Sequence, residues 1–182
     1  MSKVIAAFNS TIDGNCDHTA GIADQELHQH YTELLNNAGV ILYGRTTYQL
    51  MQYWQTLLKN PSGEKTADDF AKAIHHLPKI VFSNPLKHTD WETAEIATSP
   101  LEAVIKELKQ QAGKDILIGS RSLIIQLLNL NLIDELQLCI QPVIAGKGLS
   151  LFDQIKHRTT FQLHHTKTFT NSTIILYYQP TQ

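Results

Sequence analysis

Two stretches of this chain share one layout. Residues 39–54 read GVILYGRTTYQLMQYW, and residues 115–128 read DILIGSRSLIIQLL. In each, an unbroken apolar run stops at a glycine, an arginine follows within two residues, and an amphipathic helical pattern begins. A short apolar run without polar alternation suits a strand covered on both faces, as in a parallel sheet sandwiched between helices. A parallel strand also needs a crossover back to its starting edge, and a helix is the usual crossover. Repeated strand–glycine–helix units therefore confine the chain to the α/β class.

The remaining patterning agrees. Strands are expected at 3–8, 40–43, 80–83, 95–98, 115–118, 136–143, 161–168 and 173–179. Helices are expected at 24–36, 47–57, 67–76, 100–111 and 120–129. Leu27, Tyr31, Leu34 and Leu35 fall on one face of the first helix. Leu101, Val104, Ile105 and Leu108 do so in the fourth, where Ser99 is placed as N-cap and Pro100 at the first helical position. The last two strands, separated by four residues, read as a hairpin. The expected architecture is a mostly parallel central sheet flanked by helices, with an antiparallel C-terminal hairpin. A length of 182 residues predicts one domain, 1–182, and 42% hydrophobic content is enough for a real core.

Composition also narrows the function. The net charge of −2 leaves no basic footprint for nucleic acid. Cys16 and Cys139 are far apart and form no metal or disulfide pattern, which fits a reducing cytoplasm. No window approaches the roughly twenty apolar residues a membrane helix needs, and the N-terminus lacks the apolar core of a secretory signal. The nine histidines lack zinc-ligand spacing: His28 and His30 would diverge on a helix. The expectation is a cytoplasmic protein acting on a small molecule, without metal, nucleic acid or membrane.

The junctions carry the chemistry. A helix N-terminus presents unsatisfied N–H groups and a partial positive charge, and so attracts anions. Gly44 would allow close backbone approach, Arg45 would supply a cationic fork for phosphate, and Thr46 and Thr47 would supply hydroxyl donors. Gly119, Ser120 and Arg121 repeat the arrangement. The plainer account is a glycine turn, a surface arginine and a hydroxyl cap. Two such ends in one parallel sheet share the carboxyl edge, where α/β folds bind ligands, and a dinucleotide would engage both. Neither junction is GxGxxG or a P-loop. A third strand ends in Ser83-Asn84-Pro85, either a plain turn or polar groups beside an adenosine.

The order of these segments resembles the dihydrofolate reductase fold. More closely, it is similar to the bacterial group that shares the C-terminal reductase domain of the bifunctional riboflavin-biosynthesis deaminase–reductase. Leu132–Phe152, LIDELQLCIQPVIAGKGLSLF, looks like that group's Asp-Glu-Leu strand, Pro-Val segment and Gly-x-Gly loop. Ser10–Gly14, STIDG, resembles its Ser-x-Asp-Gly turn. The resemblance implies an NADPH-binding reductase and suggests a homodimer. Gly44, Arg45, Thr46 and Thr47 would hold cofactor phosphates, Ser83 with Arg45 would favour the 2′-phosphate, and Asn84 would lie nearby. Gly119, Ser120 and Arg121 would line pyrophosphate and ribose, although dihydrofolate reductases carry Gly-Gly where this chain has Gly119-Ser120. Asp13-Gly14 would begin a mobile loop over the nicotinamide.

The substrate side departs from that pattern. Dihydrofolate reductase carries an acid on its first helix in a segment with Trp and Pro, whereas this chain reads TAGIADQELHQHYTELL there. Asp24, His28 and Tyr31 are spaced to share one helical face, where they would bind and protonate a nitrogen heterocycle. The plainer account is a capping Asp24, a surface His28 and a core Tyr31. Dihydrofolate is disfavoured as substrate, and the chain lacks a deaminase part. The expected activity is hydride transfer from NADPH to a small heterocyclic or carbonyl substrate of a riboflavin-precursor or pterin-like class. The alternative is a nucleotide-binding sensor or partner module without catalysis.

Overall fold

The apolar runs become strands of one sheet. The structure, a computed structural model, describes residues 2–22, 24–111 and 113–181. Along the chain the elements are β1 (Val4–Thr11), α1 (Gln25–Asn37), β2 (Ala38–Gly44), α2 (Arg45–Met51), α3 (Tyr53–Lys59), α4 (Lys65–His76), β3 (Lys79–Phe82), β4 (Ala94–Ile96), α5 (Leu101–Gln110), β5 (Asp115–Ile118), α6 (Arg121–Asn129), β6 (Glu135–Gln141), β7 (Phe161–Thr168) and β8 (Ile174–Pro180). Among the described residues the sheet order is β4-β3-β2-β5-β1-β6-β8-β7. The first six strands in that order are mutually parallel. Strand β8 runs antiparallel to both β6 and β7, so the chain closes with the expected hairpin.

Alternation along the strands sorts side chains between two helical layers. Val4, Ala6, Val40, Leu42, Ile116 and Ile118 pack under α5 and α6. Ile5, Ile41, Tyr43, Val81 and Leu117 pack under α1 and α4. Both faces of β1, β2 and β5 are thereby covered for most of their length, which explains their continuous apolar composition. No helix among the described residues is long and apolar enough to cross a membrane.

Several boundaries differ from expectation, each for a local reason. The expected helix at 47–57 starts at Arg45 and divides at Gln52, where the ladder tightens to an i→i+3 bond from Gln55 N–H to Gln52 C=O at 3.1 Å. Pro100, not Ser99, occupies the N-cap position of α5. Ser120 is the N-cap of α6 rather than its first residue. Strand β1 continues to Thr11 instead of ending at Phe8, because β6 pairs with it through Gln141.

One core feature has no apolar signature at all. Lys79 is 1% exposed at the start of β3. Its ammonium donates to the carbonyls of Leu77 (2.7 Å) and His75 (3.3 Å) at the end of α4 and to Thr93 Oγ1 (2.8 Å). It also lies 4.2 Å from the centre of the Trp91 ring. Burial pushes its pKa down to about 7, but carbonyls at a helix C-terminus and an aromatic face favour the cation. The lysine therefore ties α4, β3 and the 89–93 segment together.

Candidate functional site

The two glycine junctions meet. Strands β2 and β5 are neighbours, and the Gly44 N–H donates to Ser120 Oγ at 2.8 Å. Ser120 thus pins one strand end to the other. Neither α2 nor α6 has a side-chain hydrogen bond at its N-cap, so no cap side chain competes for their first-turn N–H groups.

Both glycines are required for space rather than for backbone twist. Gly44 has φ −77°, within reach of any residue. A Cβ on Gly44 would lie 3.0 Å from Ser122 Oγ, and one on Gly119 would lie 3.2 Å from Tyr43 Cε1. The first neighbour is the tip of an exposed serine, whereas the second is a ring 2% exposed. Close approach of the two strand ends is what excludes a side chain.

The arginines part ways. Arg45 opens α2 as an exposed residue, with Thr46 exposed and Thr47 half-buried beside it. Arg121 is turned onto the segment after β6: its Nε donates to the Ser150 carbonyl at 2.6 Å, and its guanidinium pairs with Asp153. Ser83 Oγ accepts from Leu86 N–H at 3.2 Å and so builds the turn after β3, with Asn84 exposed at that turn.

The loops after β1 and β6 are fastened over the same edge. Ile12 N–H bonds to the Val143 carbonyl at 2.9 Å, and Cys16 N–H to the Leu149 carbonyl at 2.8 Å. Asn15 Nδ2 donates to the Lys147 carbonyl at 2.6 Å. Asp13 accepts from Thr11 Oγ1 (2.5 Å), Gly146 N–H (2.7 Å) and Ala145 N–H (3.1 Å), and these bonds hold its carboxyl down to about 2. Gly148 has φ +147°, and a Cβ there would overlap the Asn15 amide, so glycine is obligatory. The Asp13-Gly14 turn, expected to begin a mobile loop, is instead clamped from both sides.

On α1 the three residues expected to share a face do not converge. The Asp24 carboxylate accepts from Leu27 N–H at 2.8 Å and caps the helix. His28 turns toward α3 and α4, with ring centres 5.6 Å from Trp54 and 6.0 Å from Phe70, and Glu64 lies 4.0 Å away. Tyr31 faces the sheet and donates its hydroxyl to Asn9 Oδ1 at 2.8 Å. His30 goes a different way from His28, contacting Phe169 and Lys167, and burial pushes its pKa down to about 4.

Asn9 is the residue that sequence patterning missed. It lies on β1, an interior strand, yet it is exposed, and Ala7 and Phe8 beside it are half-exposed. Asn9 shares strand parity with Ile5, so it points to the α1 side. Asn9 lies three residues beyond the last β1–β5 pair, Ala6 with Ile118, and is paired only with β6, so it stands exposed at the carboxyl edge where β5 has ended. The only sequence signal was a polar residue one place beyond the apolar run.

A groove of about 710 Å³ lies at the opposite edge, along the amino ends of β2–β5, with Lys79, Thr93 and Lys114 in its lining. The carboxyl ends are the usual ligand edge of parallel sheets, and the uncapped helix starts, Arg45 and the exposed Asn9 all lie at that edge. The site is therefore assigned to the carboxyl edge.

Comparison with known proteins agrees with this architecture. The family model for the RibD C-terminal domain matches residues 2–175. The uncharacterized protein YyaP of Bacillus subtilis (strain 168) is 33% identical over 180 residues, covering 97% of this chain and 94% of that protein. A pyrimidine reductase-like protein from Corynebacterium diphtheriae superposes with a TM-score of 0.69 at 18% identity, covering 100% of this chain and 92% of the other. A diaminohydroxyphosphoribosylaminopyrimidine deaminase/5-amino-6-(5-phosphoribosylamino)uracil reductase from Thermotoga maritima gives 0.66 at 16% identity, with 99% of this chain matching 57% of that one. At such identities these two structures speak to fold alone. With a family match that runs from β1 into β8 and the same α/β sheet, the chain belongs to the RibD C-terminal domain family and has its dihydrofolate reductase-like fold.

Proposed function

We propose that this chain is an NADPH-dependent reductase acting on a small heterocyclic or carbonyl substrate of a riboflavin-precursor or pterin-like class. The observation that carries the reading is the junction itself: Gly44 and Ser120 are joined at 2.8 Å, so two uncapped helix starts share one edge beside the exposed Arg45. That donor set fits a dinucleotide. Gly44–Thr47 would hold phosphate through N–H groups, hydroxyls and the Arg45 fork, with Gly119 and Ser120 beside the pyrophosphate. Ser83 and Asn84 would lie toward the adenosine end. Bound nicotinamide supplies hydride, while the protein supplies position and polarity.

Of the groups available for proton delivery, Asp24 is engaged as a helix cap, whereas the His28 side chain keeps 21% exposure. His28 or water is therefore the better donor. A nucleotide-binding module without turnover is the second reading, favoured by the capping role of Asp24.

Melting the protein with NADPH or NADH tests the reading. Selective binding at a hundred times Kd stabilises by about 2.7 kcal/mol, a shift of several degrees, and absence of any shift would refute it. NADPH consumption with a panel of pyrimidines, pterins and carbonyls then separates enzyme from module.

We also propose a homodimer. On the face of β6, β8 and β7 away from α1, Leu163 and Ile174 are 48% and 38% exposed. An apolar groove of about 420 Å³ adjoins them, lined by Leu128, Leu138, Phe152 and Tyr178. An apolar surface of this kind suits contact with a second copy, whose matching apolar patch would cover it. Leu163→Lys should shift a dimer to monomer in sedimentation; a monomeric wild type would refute the pairing.

A further inference from the structure

The Lys79 cluster at the amino edge of the sheet has a part that the reductase reading leaves unused. Trp91, 1% exposed, donates its indole N–H to His75 Nδ1 at 3.0 Å. An indole nitrogen only donates, so His75 Nδ1 is the acceptor and the imidazole is neutral. The two rings lie 27° from parallel with centres 6.3 Å apart. The His75 carbonyl accepts from Thr93 Oγ1 at 2.7 Å and from the Lys79 ammonium at 3.3 Å. The ammonium has three N–H donors, and His75, Leu77 and Thr93 supply their acceptors. All of these bonds are made in one charge state, a cationic Lys79 beside a neutral His75.

What this cluster holds is the edge of the sheet. Strand β4 is three residues long and pairs with β3 alone among the described residues. The Trp91 carbonyl accepts from Ala94 N–H at 2.9 Å, and the Thr93 carbonyl from Lys79 N–H at 2.8 Å, so the position of Trp91 sets that of β4. We infer that His75, Trp91 and Lys79 form an acid-sensitive lock on this edge: neutral His75 holds Trp91 and β4 in place, and protonation of His75 releases them. A proton on Nδ1 puts a donor where the indole needs an acceptor and leaves a buried N–H unpaired. It also sets a second cation beside Lys79. The charged groups around His75 are His76 on α4, with ring centres 5.3 Å apart, Lys79 on β3 and Glu92 next to Trp91.

Burial holds the His75 pKa below its ordinary value, and His76 and then Lys79 act in the same direction against Glu92. A depressed imidazole contributes its full stability above the ordinary histidine value of about 6.5, and that contribution is lost as pH falls through the folded value. Even with its pKa at about 7, Lys79 is charged throughout that window, so the change belongs to His75. The exposed His88–Asp90 pair, 3.5 Å apart, lies on the same segment and calls for a control.

The chain has two tryptophans, so the full chain labelled with ¹⁵N gives two indole N–H resonances, and Trp54→Phe identifies that of Trp91. On acidification the Trp91 resonance should move in one step with its midpoint below about 6.5. Amide protection, corrected for intrinsic exchange, should fall roughly tenfold across Ala94–Ile96 while β1 and β5 keep theirs. His75→Gln keeps an acceptor for the indole without titrating and should abolish both changes. His76→Asn and His88→Asn should leave both in place. A step that survives in His75→Gln, a step lost in either control, or constant protection of β4 in wild type overturns the lock. If His75→Gln fails to fold, the imidazole nitrogen shifts of wild type decide. Nδ1 bare at neutral pH and protonated together with the Trp91 step supports the lock; Nδ1 protonated at neutral pH, or gaining its proton without that step, overturns it.

Discussion

The two strand–glycine–helix junctions are alike in sequence and different in outcome. At the first, Arg45 stands exposed at the start of α2. At the second, Arg121 holds Ser150 and Asp153 and so anchors the segment after β6. The same contrast holds for the glycines: Gly44 abuts a movable serine tip, and Gly119 abuts a buried tyrosine ring. A repeated local motif therefore leaves its arginine exposed at one end and anchors a loop at the other. What separates them is a carboxylate thirty-odd residues downstream of one arginine and nothing comparable beside the other among the described residues.

The sharpest way to break this contrast is at Arg45. Arg45→Ala should weaken NADPH roughly thirtyfold, about 2 kcal/mol for a charge-assisted bond, and leave NADH almost unchanged. Equal losses for both nucleotides in titration would remove the 2′-phosphate role.

The glycines come next. Gly119→Ala should cost about 1–2 kcal/mol in urea denaturation, because the Tyr43 ring has nowhere to move. Gly44→Ala should cost under about 1 kcal/mol, because Ser122 can rotate away. If the order were reversed, the packing account of the two sites would be wrong.

The smallest effect is expected at Arg121. Its pair with Asp153 is partly exposed, so Arg121→Ala should lower stability by about 1 kcal/mol at most. It should change NADPH and NADH affinity by the same small factor, and it should speed amide exchange at Leu149–Leu151. A large loss selective for NADPH would mean that Arg121, not Arg45, faces the phosphate.

How much was readable in advance varies with the range of the interaction. The strands were legible because burial on two faces leaves a continuous apolar run, as in Val40–Tyr43 and Ile116–Ile118. The Asp24 cap was legible as the plainer account of that residue, since capping involves only the next turn. The division at Gln52 was not, because helical periodicity continues across it. Asn9 was hidden because a polar residue after an apolar run looks like the start of a turn, and only pairing with β6 extends the strand through it. Lys79 was hidden more completely: its acceptors lie on α4 and on Thr93, fourteen residues away.

By itself, the sequence determined the α/β layering, the parallel sheet with its closing hairpin, and the presence of two glycine-ended strands. These follow from the spacing of apolar residues, which needs only the local period of helix or strand. Which arginine stays exposed, why each glycine excludes a side chain, and that Asn9 is exposed beyond the end of β5 were decided by the tertiary structure. Each depends on a partner distant in the chain, and local spacing carries no information about what packing brings alongside.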